Sequence, residues 1–158
     1  MAAGTLHFDA AGYARGLTLT FEELDKRFPN GFVDAEITAI AIDYGKRQAI
    51  LELNLRQNSP DGPDPDVYTH AQVRVIDLYY LSIEPPDSDR LFLGKRETIT
   101  VDGFPEDPNH FEPFANIKPK LPDGAFHCRF FVHDWNSFIH VAGRGAEFSS
   151  RAPESIET

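Results

Sequence analysis

A single cysteine, Cys128, excludes an internal disulfide framework, so burial and hydrogen bonding alone have to hold the fold. No stretch approaches the roughly 20 consecutive apolar residues that a membrane-spanning helix needs. The first residues carry neither a basic segment nor a long apolar run, so no secretory signal is expected and the chain reads as soluble and cytoplasmic. Positive charge is scarce: 15 Lys and Arg stand against 25 Asp and Glu, a formal net charge of −10. Phosphate recognition depends on Lys and Arg, so no binding to nucleic acid or to an anionic membrane is expected through the bulk surface. Motifs for chemistry are missing too. There is no Walker loop, Gly-x-Ser-x-Gly elbow, His-Glu-x-x-His run or Cys-x-x-Cys pair. Gly143-Arg144-Gly145 is too short to cradle a phosphate.

What the chain does have is an ordinary globular composition, 41% hydrophobic with 13 Phe in 158 residues. That length favours one domain, spanning 1–150, with 151–158 as a frayed polar tail. Thr20 and Glu23 have capping-box spacing and open a short helix, Phe21–Phe28, stopped by Pro29-Asn30-Gly31. Phe21, Leu24 and Phe28 fall on one face of it. Period-2 patterning then takes over. Val33, Ala35 and Ile37 alternate with polar residues before the apolar phase shifts to Ile40 and Ile42, the mark of a β-bulge or a strand crossing between layers. A turn at Tyr44-Gly45-Lys46 and the alternation of Ala49, Leu51, Leu53 and Leu55 complete an expected hairpin, Val33–Arg56.

Proline, glycine and aspartate make 58–66 an exposed loop. Tyr68–Ile83 reads as a long strand interrupted at Asp77, closed by Pro85-Pro86-Asp87, and Glu97–Val101 as a shorter one. Segment 103–124 holds five prolines and no regular period, which suggests a functional loop or a lid. The expected fold is mainly β: an antiparallel β-sandwich or partly closed barrel of about six strands with one short N-terminal helix.

Ala125–Phe148 concentrates the unusual residues, with three of the six histidines, the only Trp and the only Cys. It folds on paper into a hairpin. Phe126, Cys128, Phe130 and Val132 point one way, and His127, Arg129, Phe131 and His133 the other. With Trp135 and Asn136 at the tip, Val132 would pair with Ile139, Phe130 with Val141, Cys128 with Gly143 and Phe126 with Gly145. Trp135–Ala142 also fits helical spacing, with Asp134 as N-cap, but β-branched Ile139 and Val141 favour a strand. On the inward face Cys128 is expected to be core filler, and Trp135 a packed corner residue.

His127 and His133 are six residues apart, about 20 Å along a strand, too far to share an ion. His133 and His140 would be diagonal neighbours needing a third ligand, from Asp107 or His110. No metal site and no cofactor are expected. Asp61, Asp64 and Asp66 miss EF-hand spacing and are interrupted by prolines, so they read as a solvated loop. Asp77 is a lone strand acid without a catalytic mate.

The outer hairpin face combines Arg129, Phe131, His133, Phe138, His140 and Arg144, with Asp134 the only acid in Ala125–Arg144. Gln57–Arg90 has seven acids against two arginines. The face is therefore a candidate binding surface, Arg and aromatics being enriched in interfaces, unless it lies beneath segment 103–124 or within a homo-oligomer. Small size, strong acidity and no catalytic constellation resemble, at the level of class and without a shared motif, bacterial immunity or inhibitor proteins that cap a basic toxin. The leading expectation is a non-enzymatic protein-binding module for a basic partner, steered by Asp61, Asp64, Asp66, Asp87 and Asp89. The rival is a small anionic-ligand binder or hydrolase with a site between the hairpin and 103–124, lined by His110, Arg129, His133 and His140.

Overall fold

The computed structural model describes residues 7–8, 14–15, 17–19, 21–27, 29–59, 61–64, 66–87, 98–104 and 116–150. Two short strands, β1 (His7–Phe8) and β2 (Ala14–Arg15), pair with each other. They are followed by β3 (Leu17–Leu19) and α1 (Phe21–Arg27). Two antiparallel meanders come next. The first is β4 (Ala35–Asp43), β5 (Gln48–Arg56) and β6 (Tyr68–Ile83); the second is β7 (Ile99–Phe104), β8 (Phe126–Val132) and β9 (Ser137–Ser150).

The meanders join twice, β6 to β9 and β7 to β4, and the six strands close into an antiparallel barrel. The outer edge of β9 is shared: β8 pairs with it as far as Gly143, and β3 takes over at Ala146–Phe148. The expected mainly β fold, a barrel with one short helix, is what forms. Six strands enclose too little space for anything but side chains. Leu51, Leu53, Leu55, Val73, Val75, Val101, Phe130 and Val141 fill it, all fully buried. Phe21 of α1 and Phe32 pack with Phe126 and Phe130, at ring separations of 4.8–6.1 Å. Burying each such ring stabilises by about 1.5–3 kcal/mol.

The phase change along β4 is a bulge. Its register against β5 shifts between Ile37 and Ala39, where the apolar pattern slips. The hairpin starts later than expected, however. Val33 is 53% exposed, because Gly31 and Asp34 take positive φ and turn the chain, which leaves Phe32 as the inward residue. Asp25 of α1 secures this turn by accepting the Phe32 N–H at 2.9 Å. Asp77 also has positive φ, and a register shift between Leu78 and Tyr80 bends β6 beside it. Thr20 and Phe28 of the expected cap and apolar face lie outside the described residues, as do Glu97 and 151–158.

Two further expectations need correction. Segment 103–124 does not begin as irregular chain: Gly103 and Phe104 belong to β7, paired with Phe130 and Arg129. A single 3₁₀ turn, Lys118–Lys120, occupies part of the remainder, and 105–115 lies outside the described residues. The terminal hairpin keeps its expected faces but slides by two residues, so Phe126 meets Gly143, Cys128 meets Val141 and Phe130 meets Ile139. The connection is four residues, not two, with Val132 opposite Ser137 and Asn136 at positive φ. A slip of two preserves the pleat, which is why the inward set was readable although the register was not. The helical alternative for Trp135–Ala142 is excluded, since β9 is extended from Ser137 and paired on both edges.

Gly143 leaves no room for a side chain between β6 and the Phe126 ring. A Cβ there would lie 2.6 Å from Val75 Cγ1, 3.1 Å from Ile76 O and 3.3 Å from Phe126 Cε1. Gly143→Ala is therefore expected to destabilise the fold by about 1–3 kcal/mol, whereas Gly45→Ala, in an exposed turn, stays within about 0.5 kcal/mol. Urea unfolding midpoints of the two variants measure this.

Candidate functional site

β8 and β9 carry their polar set on the outside of the barrel, and closure presses acids from other strands onto it. Arg129 pairs across the sheet with His140 on one side and Phe104 on the other. Its guanidinium lies 5.4 Å from the Phe104 ring centre and 4.6 Å from that of Phe138, and the residue is only 7% exposed. Two aromatic faces thus stabilise a cation largely removed from water. His140 is 1% exposed, stacks on His127 at 5.8 Å and has its Nε2 3.4 Å from Glu84 Oε1. Glu84, just past the end of β6, also accepts the Phe138 N–H at 2.7 Å through Oε2. Burial pushes the His140 imidazole below its usual pKa of 6.5, a fall that Glu84 partly offsets.

A second group forms where β4, β7 and the β8–β9 turn meet. His133 Nε2 lies 2.8 Å from Asp102 Oδ2 on β7, and Asp102 Oδ1 accepts the Asp34 N–H at 2.8 Å. The backbone N–H of His133 donates to Thr100 O at 3.0 Å, which fixes the turn against β7. Asp34, Asp102 and His133 each offer one ligand atom, all within 4.8 Å of one another, and all three residues are half-buried. Further along β9, Arg144 Nε donates to Asp77 Oδ2 at 2.5 Å.

The structure thus redistributes the basic, aromatic face. Phe131 and Phe138 are half-buried and 5.3 Å apart, Arg129 and His140 are buried, and Arg144 is exposed. Asp77, Glu84 and Asp102 come from β6, the segment after it and β7 to pair with Arg144, His140 and His133. A charge count along Ala125–Arg144 omits all three acids. Alternation marks Asp102 as outward on β7, but its partner becomes visible only once β7 is known to pair with β8. His133 meets Asp34, just before β4, and Asp102 of β7; Asp107 and His110, which the sequence offered as third ligands, lie outside the described residues.

No known protein family, curated protein or solved structure matches the chain. The site must therefore be read from its own chemistry. Among the described residues, no helix is long and apolar enough to cross a membrane. Cys128 is fully buried, and burial, with Asp25 nearby, raises its thiol pKa well above the usual value, which opposes nucleophilic use. Trp135 is half-buried against the core, and its backbone N–H donates to Val132 O at 3.2 Å.

The steering acids separate into two places. Asp61, Asp64 and Asp66 are exposed on the β5–β6 loop, whereas Asp87 follows β6, half-buried, and Asn136 Nδ2 lies 3.4 Å from its Oδ2. The 16 residues of β6 lie between them, about 50 Å of extended chain, so the two loops form separate surfaces. Asp89 lies outside the described residues.

The lowered pKa of His140 has a stability consequence. Its unfolded form binds a proton near pH 6.5, whereas the folded protein resists protonation until lower pH, so folding stability falls as pH drops from about 6.5 toward the folded value. Unfolding free energies from pH 7.5 to 5 should show this loss in the native sequence and a flatter profile in His140→Gln.

Proposed function

We propose that the protein is a non-enzymatic, acidic binding module for a basic protein partner, with its contact surface at the β5–β6 loop. The observation that carries this reading is the exposure of three acids, Asp61, Asp64 and Asp66, on that one loop. Burial raises the Tyr68 pKa, Arg56 opposes it, and the charges of Glu36, Asp66 and Asp34 add to the rise; Arg56 donates to the Tyr68 hydroxyl at 2.8 Å and lies 4.0 Å from Asp66 Oδ1. Asp61 and Asp64 extend the same group along the loop, and Asp66 is 87% exposed. Sequence reading picked out the loop acids and missed Asp34 and Glu36, which reach the site only because β4 pairs with β5.

The loop is shaped in advance. Asn58 Nδ2 donates to Asp64 O at 2.9 Å, Gly62 N–H to Ser59 O at 3.0 Å, and Asn30 Nδ2 to Asn58 O at 2.9 Å. A loop already held in place loses less entropy on binding, and its charges stay close together. Clustered acids on a chain of net charge −10 raise the encounter rate with a basic surface and make that rate depend on salt. The resemblance in class to immunity or inhibitor proteins belongs to this same reading, and so does a cytoplasmic setting.

The rival reading, a small anionic ligand or a hydrolytic site on the hairpin face, has less support. His133 and His140 already have Asp102 and Glu84 beside them, and Arg129 is held between two rings. An incoming anion would have to displace or neutralise those carboxylates.

Surface-immobilised protein, exposed to cell extract and then to each captured protein in purified form, tests the proposal. A basic partner should associate faster at low salt, and the triple variant D61N/D64N/D66N should slow association about tenfold or more and flatten its salt dependence. Association rates that ignore both salt and the triple variant would overturn it.

A further inference from the structure

We propose that Asp34, Asp102 and His133 form a binding site for one zinc ion. The three donors come from three elements that are distant in sequence: the turn before β4, the middle of β7 and the turn after β8. Their ligand atoms lie within 4.8 Å of one another, and among the described residues this is the one group of three or more His, Cys, Asp or Glu so arranged. Zinc bound at about 2.0–2.2 Å holds tetrahedral ligand atoms about 3.3–3.5 Å apart, so side-chain rotation of about 1.5 Å completes the geometry.

The chemistry of the group favours a cation. Two carboxylates face one imidazole, and no Lys or Arg pairs with Asp34 or Asp102 among the described residues. The Asp34 N–H holds Asp102 Oδ1, which orients that carboxylate before the ion arrives, and zinc would take the place of the proton shared between His133 Nε2 and Asp102 Oδ2. The donor set selects the metal. One imidazole nitrogen with two carboxylate oxygens suits zinc, whereas calcium and magnesium prefer six or more oxygen ligands. Because all three residues are half-buried, water can complete the coordination.

The site also has a mechanical role. β4 and β7 pair over only three residues, Ala35–Ile37 with Ile99–Val101, the shortest join in the closed barrel. An ion held by Asp34, Asp102 and His133 would tie that seam to the β8–β9 turn. Other His–carboxylate contacts, His70 with Glu52 and His140 with Glu84, form no such group of three.

The test uses the full chain without an affinity tag, stripped with chelator and titrated with zinc chloride. One zinc per chain should bind and raise the melting temperature, since a ligand selective for the folded state stabilises it. Asp34→Asn and His133→Gln should each weaken binding at least about tenfold and abolish the rise. Asp34→Asn keeps the backbone N–H that holds Asp102, so circular dichroism should report an unchanged fold. His70→Gln should bind like the native sequence. Cobalt(II) should give visible bands of a nitrogen and oxygen site without sulfur charge transfer. The proposal is overturned by any of four results: no stoichiometric binding, affinity unaltered in both ligand variants, loss on His70→Gln alone, or a sulfur band implicating Cys128.

Discussion

The arrangement depends on β7, whose pairing with both β4 and β8 closes the sheet. Val101 of β7 lies opposite Ala35 of β4 on one side and Val132 of β8 on the other, and all three are fully buried. Without that double pairing the two meanders would remain an open, twisted sheet with two edges to protect. With it, the barrel is closed and filled. Closure also places residues that are remote in sequence within reach of one another: Asp34 lies 68 positions from Asp102, and Asp102 31 from His133. The β4–β7 seam is therefore both the shortest join in the barrel and, among the described residues, the place where Asp34, Asp102 and His133 come together.

The strands reach these positions through irregularities. The β4 bulge after Ile37, the bend of β6 at Asp77 and the αL residue Asn136 in the hairpin connection each break a regular period. A small barrel needs strongly coiled strands, and bulges supply the coil without breaking the inward alternation for long. Gly103 and Gly143 complete the packing, since a Cβ at Gly103 would press on the buried Phe32 and Phe130, and one at Gly143 on Val75 and the half-buried Phe126 ring. Because the interior holds only side chains, chemistry and recognition are left to the outer face and the connections.

Much of the fold was legible in the residues because burial imposes period 2 on strands. Ala49 to Leu55, Ala71 to Val75 and Phe126 to Val132 announce their faces directly, and the slipped phase after Ile37 announces its bulge. Hairpin register was not legible, since Trp135 and Asn136 suit a tight tip as well as a four-residue connection and a shift of two leaves both faces apolar. Val33 misled because positive φ at Asp34 cannot be read from an alternation that continues unbroken through it. The site was legible by half. His133, His140 and Arg129 stood out as an unusual cluster, but Asp34, Glu84 and Asp102 look like ordinary strand and loop acids until closure sets them beside those residues. Local charge counts fail here for the same reason that topology matters.

Two surfaces stand out, an acidic loop end built on the β4–β5–β6 meander and a His–carboxylate seam, and the seam does not exist if β7 does not bridge β4 and β8. Cross-strand nuclear Overhauser effects from Val101 in uniformly labelled protein examine that bridge most directly. Contacts from Val101 to both Ala35 and Val132 are the predicted result. Contacts to Val132 with none to Ala35 would describe an open sheet, separate Asp34 from Asp102, and contradict the account at its base.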